Sequence, residues 1–169
     1  MRLYFSGCEG DTALDHQTIE LGFSTILTGV LATLGMTTFL YLSHAAGFAN
    51  GDMVRAIGSA ITRREENSLI PGLITHFFVG IVFTALYVFL LSMVPEAAIE
   101  GPDRTLRLVV LGAMMGFVQG LVVSIGLVIV VAEHHPVERF REAGVNVALI
   151  HLIAHVIFGA IVGLVSASL

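Results

Sequence analysis

The chain has 169 residues, of which 56% are hydrophobic and 12% charged, and its mean hydropathy is +0.90. That composition excludes an ordinary soluble domain and leaves no room for a separate soluble catalytic domain beside a membrane bundle. A formal net charge of −5 argues against nucleic acid as a partner, and the single cysteine, Cys8, allows neither an internal disulfide nor a thiolate cluster built from this chain alone.

Residues 1–20 read as an acidic tail, with Glu9, Asp11, Asp15 and Glu20 set against Arg2. A tail without apolar periodicity does not order itself. It is therefore expected to dock on a partner subunit, with Leu3, Tyr4 and Phe5 as apolar anchors. Residues 21–169 read as one transmembrane bundle. Four runs hold no Asp, Glu, Lys or Arg: Leu21–Ser43, Leu69–Val94, Leu108–Ala132 and Ala143–Leu169. Each exceeds the roughly 20 residues a helix needs to cross a hydrocarbon core. Only helices and closed barrels satisfy backbone polar groups in lipid, and these runs are too long and too apolar for barrel strands. The expected fold is an all-α membrane protein of four transmembrane helices.

The connections differ in character. The first, His44–Ser68, is long. Within it Asp52 can cap a short helix whose apolar face is Met53, Ile57, Ala60 and Ile61, flanked by Arg55, Arg63 and Arg64. That pattern fits an amphipathic helix lying in the membrane interface. The second, Pro95–Arg107, is short and polar. The third, Glu133–Gly144, reads as a helical turn started by Pro136 and stopped by Gly144. The first and third connections carry Arg55, Arg63, Arg64, Arg139 and Arg141, against Arg2, Arg104 and Arg107 on the other side. Five arginines against three place the first and third connections in the cytoplasm and both termini outside, in a multi-pass bacterial inner-membrane protein with periplasmic termini.

The second and fourth runs share a segment. Leu73-Ile74-Thr75-His76-Phe77-Phe78-Val79-Gly80 and Leu152-Ile153-Ala154-His155-Val156-Ile157-Phe158-Gly159 are both Leu-Ile-x-His-x-x-x-Gly. Gly29 precedes His76, and Gly112 precedes His155, at similar distances. The chain thus reads as two tandem hairpins, repeat 1 at about 21–94 and repeat 2 at about 106–169. Repeats with an even number of crossings imply a pseudo-two-fold axis along the membrane normal. Small residues also recur every four positions: Thr25, Gly29, Thr33 and Thr37; Gly72, His76, Gly80 and Thr84; Gly112, Gly116, Gly120 and Ser124; His151, His155, Gly159 and Gly163. Such ridges let helix backbones approach closely in lipid, so both repeat histidines should point into the bundle.

Six of the seven histidines, His44, His76, His134, His135, His151 and His155, fall on one side of the membrane; His16 falls on the other. Ionisable groups inside a membrane are costly and often functional. His76 and His155 could be axial ligands of a b-type haem or a chlorophyll, the glycine one turn later leaving space for a flat macrocycle. His151 and His155, spaced i and i+4, could chelate a transition metal with Glu133, His134, His135 or Asp52 completing the shell. The structural alternative is a pair of hydrogen bonds from His76 and His155 to neighbouring helices. His134 and His135, at a span end, would meet solvent or headgroups, and Gln119 would make an interhelical hydrogen bond. No phosphate loop, nucleophile elbow or intramembrane carboxylate pair is visible, which argues against an enzyme.

The two Leu-Ile-x-His-x-x-x-Gly segments, the glycine-rich first and third runs and the Met53–Ile61 segment together resemble a family of small, uncharacterised four-span bacterial integral membrane proteins, over roughly residues 25–168. The resemblance implies the four-helix architecture and no established activity. The first functional reading is a non-catalytic accessory or structural subunit of a larger bacterial, bioenergetic membrane complex, with other membrane subunits and lipids as partners. The alternatives are a haem-, chlorophyll- or metal-binding electron-transfer protein using His76 and His155, and a small transporter or channel.

Overall fold

The structure, a computed structural model, describes residues 7–168, with the side chains of residues 7–15 and 17 left out. The expected anchors Leu3, Tyr4 and Phe5 therefore lie outside the described residues. Helix α1 spans Gly7–Ala45, α2 Met53–Thr62, α3 Leu69–Ser92 and α4 Glu96–Ile99. Helix α5 spans Arg104–Gly126 and runs through a π-helical turn, Leu127–Val131, into the short α6, Ala132–His134. A 3-10 turn, Glu138–Phe140, leads to α7, Val145–Ser166. Four of these segments are long and apolar enough to cross a membrane: Thr18–Ala45, Leu69–Ser92, Arg104–His134 and Val145–Ser166. Among the described residues there is no strand.

Residues 7–20, read from the sequence as part of an acidic tail, are helical and continuous with α1. A helix of 39 residues is about 58 Å long at 1.5 Å per residue, well beyond a hydrocarbon core of about 30 Å. Its acidic first turns can remain in water, where carboxylates near a helix N-terminus are favourable. The third run likewise starts earlier than its apolar composition suggested, because Arg104 and Arg107 begin α5 and reach back to carbonyls of Ala167 and Ala98 at 2.6 and 3.1 Å.

Helix α2 forms where Asp52 suggested. The Asp52 carboxylate accepts from the Arg55 N–H at 3.4 Å, and the helix closes at Arg63 with φ +62°. Its buried face differs from the expected one. Val54, Gly58 and Ser59 are buried, Met53 and Ile57 half-buried, and Ala60 and Ile61 exposed. The reason is steric: at Gly58 a side chain would collide with the backbone of Ser68 and Gly72, so the bare glycine face goes against α3 and rotates Ile61 outward.

The same close approach sets the rest of the bundle. Helices α5 and α7 make the most extensive pair, α1 packs on both α3 and α7, and α3 and α5 barely touch. Between α5 and α7 a Cβ on Gly112 would meet the Gly159 carbonyl, one on Gly159 would meet the Gly112 carbonyl, and Gly116 and Gly163 face the backbone of His155 and Leu108. Between α1 and α3, Gly80 receives Thr33, while Gly29 lies against Ile81 and Thr84. The apolar core between these ridges is Ala32, Met36 and Leu40 of α1, Tyr87 of α3, and Ile150, Ala154, Phe158 and Val162 of α7. Large apolar side chains such as Phe23, Ile70, Phe78 and Val122 point outward, as lipid contact requires.

These contacts make Gly112 and Gly159 intolerant of any side chain. Gly112→Ala or Gly159→Ala is expected to destabilise the bundle by about 1–3 kcal/mol, the cost of overpacking a close contact. Gly22→Ala, where a Cβ would meet nothing within 4 Å, should leave stability unchanged or slightly raised. Thermal unfolding of the three variants in one detergent checks the contrast.

Candidate functional site

The half of the bundle capped by α2 gathers nearly all the intramembrane polar chemistry. Its outer layer is an ion-pair network. Asp52, 8% exposed, accepts from the Tyr41 hydroxyl of α1 at 2.8 Å and from Arg139 at 2.7 Å. The same Arg139 nitrogen lies 2.8 Å from Glu65, and its guanidinium sits 4.4 Å from the Phe140 ring centroid. Arg55 stands further off, 3.8 Å from Asp52. Three separate stretches of chain, the end of α1, the α2 segment and the third connection, are thereby tied at one carboxylate. His135 adds a second tie. It is 5% exposed, its Nε2–H donates to the Ala56 carbonyl at 3.0 Å, and its Nδ1 accepts from the Val137 N–H at 3.1 Å.

Beneath the cap lie the histidines of the spans. On α7, His151 Nδ1–H donates to the Val147 carbonyl at 2.7 Å and His155 Nδ1–H donates to the His151 carbonyl at 2.8 Å. A neutral imidazole carries one ring proton, so each of these rings keeps Nε2 as a free lone pair. On α3, His76 Nε2 lies 2.9 Å from Thr37 Oγ1, and that hydroxyl spends its proton on the Thr33 carbonyl at 2.6 Å. His76 Nε2–H is therefore the donor, and its Nδ1 is the lone pair. The expected interhelical bond to His76 is thus present, made to α1, whereas the bond of His155 stays within its own helix.

Two cavities separate the sparsely touching α3 and α5. The first, of about 480 Å³, is lined by His76, Gly80, Gln119 and His155, with Met53 and Ile57 of α2 above and the π-turn beside it. The second, of about 500 Å³, continues along the same seam away from the cap and shares Phe83, Gln119 and Val123 with the first. A much smaller space of about 30 Å³ lies between Asp52, Arg139 and His151. At the junction of the two large cavities Tyr87 donates to Gln119 Oε1 at 2.7 Å, the interhelical bond the lone Gln119 suggested. The Gln119 amide N–H₂ has no protein partner among the described residues.

The metal set proposed from spacing is not brought together. Among the described residues no three His, Cys, Asp or Glu side chains converge as metal ligands would. Glu133 and His134 are exposed and face each other at 3.9 Å, beyond the end of the bundle. Both nitrogens of His135 are engaged, contrary to the solvated position expected of it, and Asp52 is held by Tyr41 and Arg139. His151 opens on the small cap cavity and His155 on the large cleft, because their rings follow carbonyls one turn apart. His76 and His155 do share one cavity. Sequence reasoning missed Tyr41, Glu65 and the inward role of Arg139; a carboxylate such as Asp52 beside a predicted span needs a cation, which was the available signal. No family model, no curated protein and no solved structure matches the chain.

The cap network has a measurable consequence. Arg139→Ala leaves the nearly buried Asp52 with Tyr41 and the more distant Arg55. It is expected to destabilise the bundle by about 1–3 kcal/mol, the range for a charge-assisted bond reduced by partial solvent screening. Arg64→Ala, on an exposed side chain, should fall within about 0.5 kcal/mol of the parent. Chemical unfolding of both in detergent distinguishes the two sites.

Proposed function

We propose that the chain is a non-catalytic four-span subunit of a larger bioenergetic membrane assembly, and that it contributes a metal tetrapyrrole, b-type haem or chlorophyll-like, held by imidazole in the cleft between α3 and α5. The observation that carries this reading is that His76 and His155, each with one unshared ring nitrogen, both line one apolar cavity. A lone pair binds a Lewis acid or a donor hydrogen; it offers nothing to an alkyl chain. The hydrogen bond from His155 Nδ1–H to a carbonyl fixes the ring and raises the basicity of Nε2, which is the usual outer-shell arrangement around a metal-bound histidine. A π-turn beside a cavity is a frequent mark of a functional site. A bare metal ion is the less favoured occupant, since two imidazoles without a third ligand make an incomplete shell.

The same proposal includes the finer architecture. The matched Leu-Ile-x-His-x-x-x-Gly segments and the α1–α3 and α5–α7 pairings support two tandem hairpins about a pseudo-two-fold axis. Arg55 of α2, with Arg63 and Arg64 just beyond its end, supports its place in the interface. The five-to-three arginine balance supports periplasmic termini in a bacterial inner membrane.

Purification from native membranes in mild detergent tests the reading. A Soret-type absorption band in the preparation, lost in His155→Ala and weakened or shifted in His76→Ala, is expected, together with stoichiometric larger subunits. A colourless chain that takes up no added metal tetrapyrrole ends the ligand reading, and a chain that always isolates alone ends the subunit reading. Deleting residues 2–12 is expected to weaken retention in the assembly while the bundle stays inserted, because the first span begins only at Thr18. Co-purification yield checks this, and unchanged retention removes the docking role of the tail.

A further inference from the structure

We infer that the ligand of the α3–α5 cleft is an uncharged tetrapyrrole esterified with a long isoprenoid tail, and that the second cavity is the tail's groove. This rests on the tetrapyrrole reading above and narrows it. The argument begins with charge. A b-type haem carries two propionate carboxylates, and burying an ionised carboxylate without a cation or water is prohibitive. Among the described residues no Arg, Lys, Asp or Glu lines either large cavity; Arg139 belongs to the small cap cavity instead, where Asp52 and Glu65 hold it. The cleft is complementary to a neutral molecule.

Shape and polarity then divide along the seam. The cap-side cavity is lined by two imidazoles, each with one unshared ring nitrogen suited to a central metal. The junction offers one free donor, the Gln119 amide, suited to an ester carbonyl where ring and tail join. Beyond it the second cavity is walled by Leu86, Leu90, Leu111, Met114 and Val118, and its polar side chains among the described residues, Tyr87 and Gln119, are bonded to each other. From His76 to Leu90 the seam runs about 21 Å along α3 at 1.5 Å per residue, long enough for an extended isoprenoid chain and far longer than a ring alone needs. Ordinary lipid acyl chains are the competing occupant of the lower groove, but they would leave the Gln119 amide and both imidazoles unpaired.

Three zinc complexes with the same central metal separate these possibilities in detergent-purified full-length chain. Zinc pheophytin a is neutral and phytyl-esterified. Zinc pheophorbide a methyl ester has the same ring without the tail. Zinc protoporphyrin IX carries two carboxylates. Binding is read from absorbance and fluorescence titration. The phytyl ester is expected to bind at least tenfold tighter than the methyl ester, and the protoporphyrin weakest of the three. Val118→Trp, which narrows the lower groove from an exposed position, should abolish the tail's advantage and leave methyl-ester binding unchanged; the latter also reports that the cleft is folded. Met114→Phe, on the same wall, should act in the same direction. Protoporphyrin binding as tightly as the phytyl ester, or Val118→Trp leaving the phytyl ester's advantage intact, overturns the inference while ligation by imidazole stands. If none of the three binds, or His155→Ala binds all three as well as the parent does, the tetrapyrrole reading falls and the inference with it.

Discussion

The constraint on which this bundle depends is how closely two helix backbones can approach. In lipid an apolar side chain gains little by leaving one hydrocarbon surface for another, so helix association rests on dispersion contacts and hydrogen bonds that need near-touching backbones. The glycines supply that proximity at three seams, α5–α7, α1–α3 and α2–α3. No glycine of α3 or α5 meets the other helix, and those two helices stay apart. The cleft is thus the complement of the glycine ridges: it lies where the sequence provides no bare surface on which to close.

A second layer of organisation follows from the cap. A connection as long as residues 46–68 would ordinarily wander, and the third connection has only a 3-10 turn of its own. Both are pinned because Asp52 needs a cation once it is buried, Arg139 supplies one, and His135 bonds the Ala56 carbonyl of α2. Polar groups placed at the end of a bundle satisfy one another without entering hydrocarbon. The cavity below can remain apolar apart from a few polar groups, namely the histidines, whose protons are committed to a carbonyl or to Thr37, and Gln119, whose carbonyl oxygen accepts from Tyr87.

Much of this was legible in the sequence, for identifiable reasons. The absence of charge over four long runs is a one-dimensional signal, and the α3 span followed it to within two residues. The i, i+4 ridges were legible because a helix converts spacing into a face, and His76, His155 and the glycines are buried on those faces. The α2 orientation was not legible, because hydrophobicity ranks Ile61 above Gly58 whereas packing against α3 selects the residue with no side chain. The partners of Asp52 were hidden for a different reason: Arg139 is 87 positions away, and no local periodicity encodes a contact of that range. The dispersal of the proposed metal set has the same origin. Histidines four residues apart on a helix share a face, but each ring rotates to its own carbonyl, and that choice is made by hydrogen bonding rather than spacing.

The π-turn at Leu127–Val131 changes how the end of the third span should be regarded. One residue more than an α-helix would use in that turn advances the angular phase of everything beyond it by about 100° relative to an uninterrupted helix. Residues 104–126 and 132–134 therefore read out two different clocks along one rod. The first keeps Gly112, Gly116 and Gly120 locked on α7. The second is free to set the heading of the chain as it leaves the membrane, so that His135 arrives facing α2 and Glu133 and His134 face away. A single inserted residue thus uncouples the azimuth of the cap from the azimuth of the packing seam, and either could drift in evolution without forcing the other to follow.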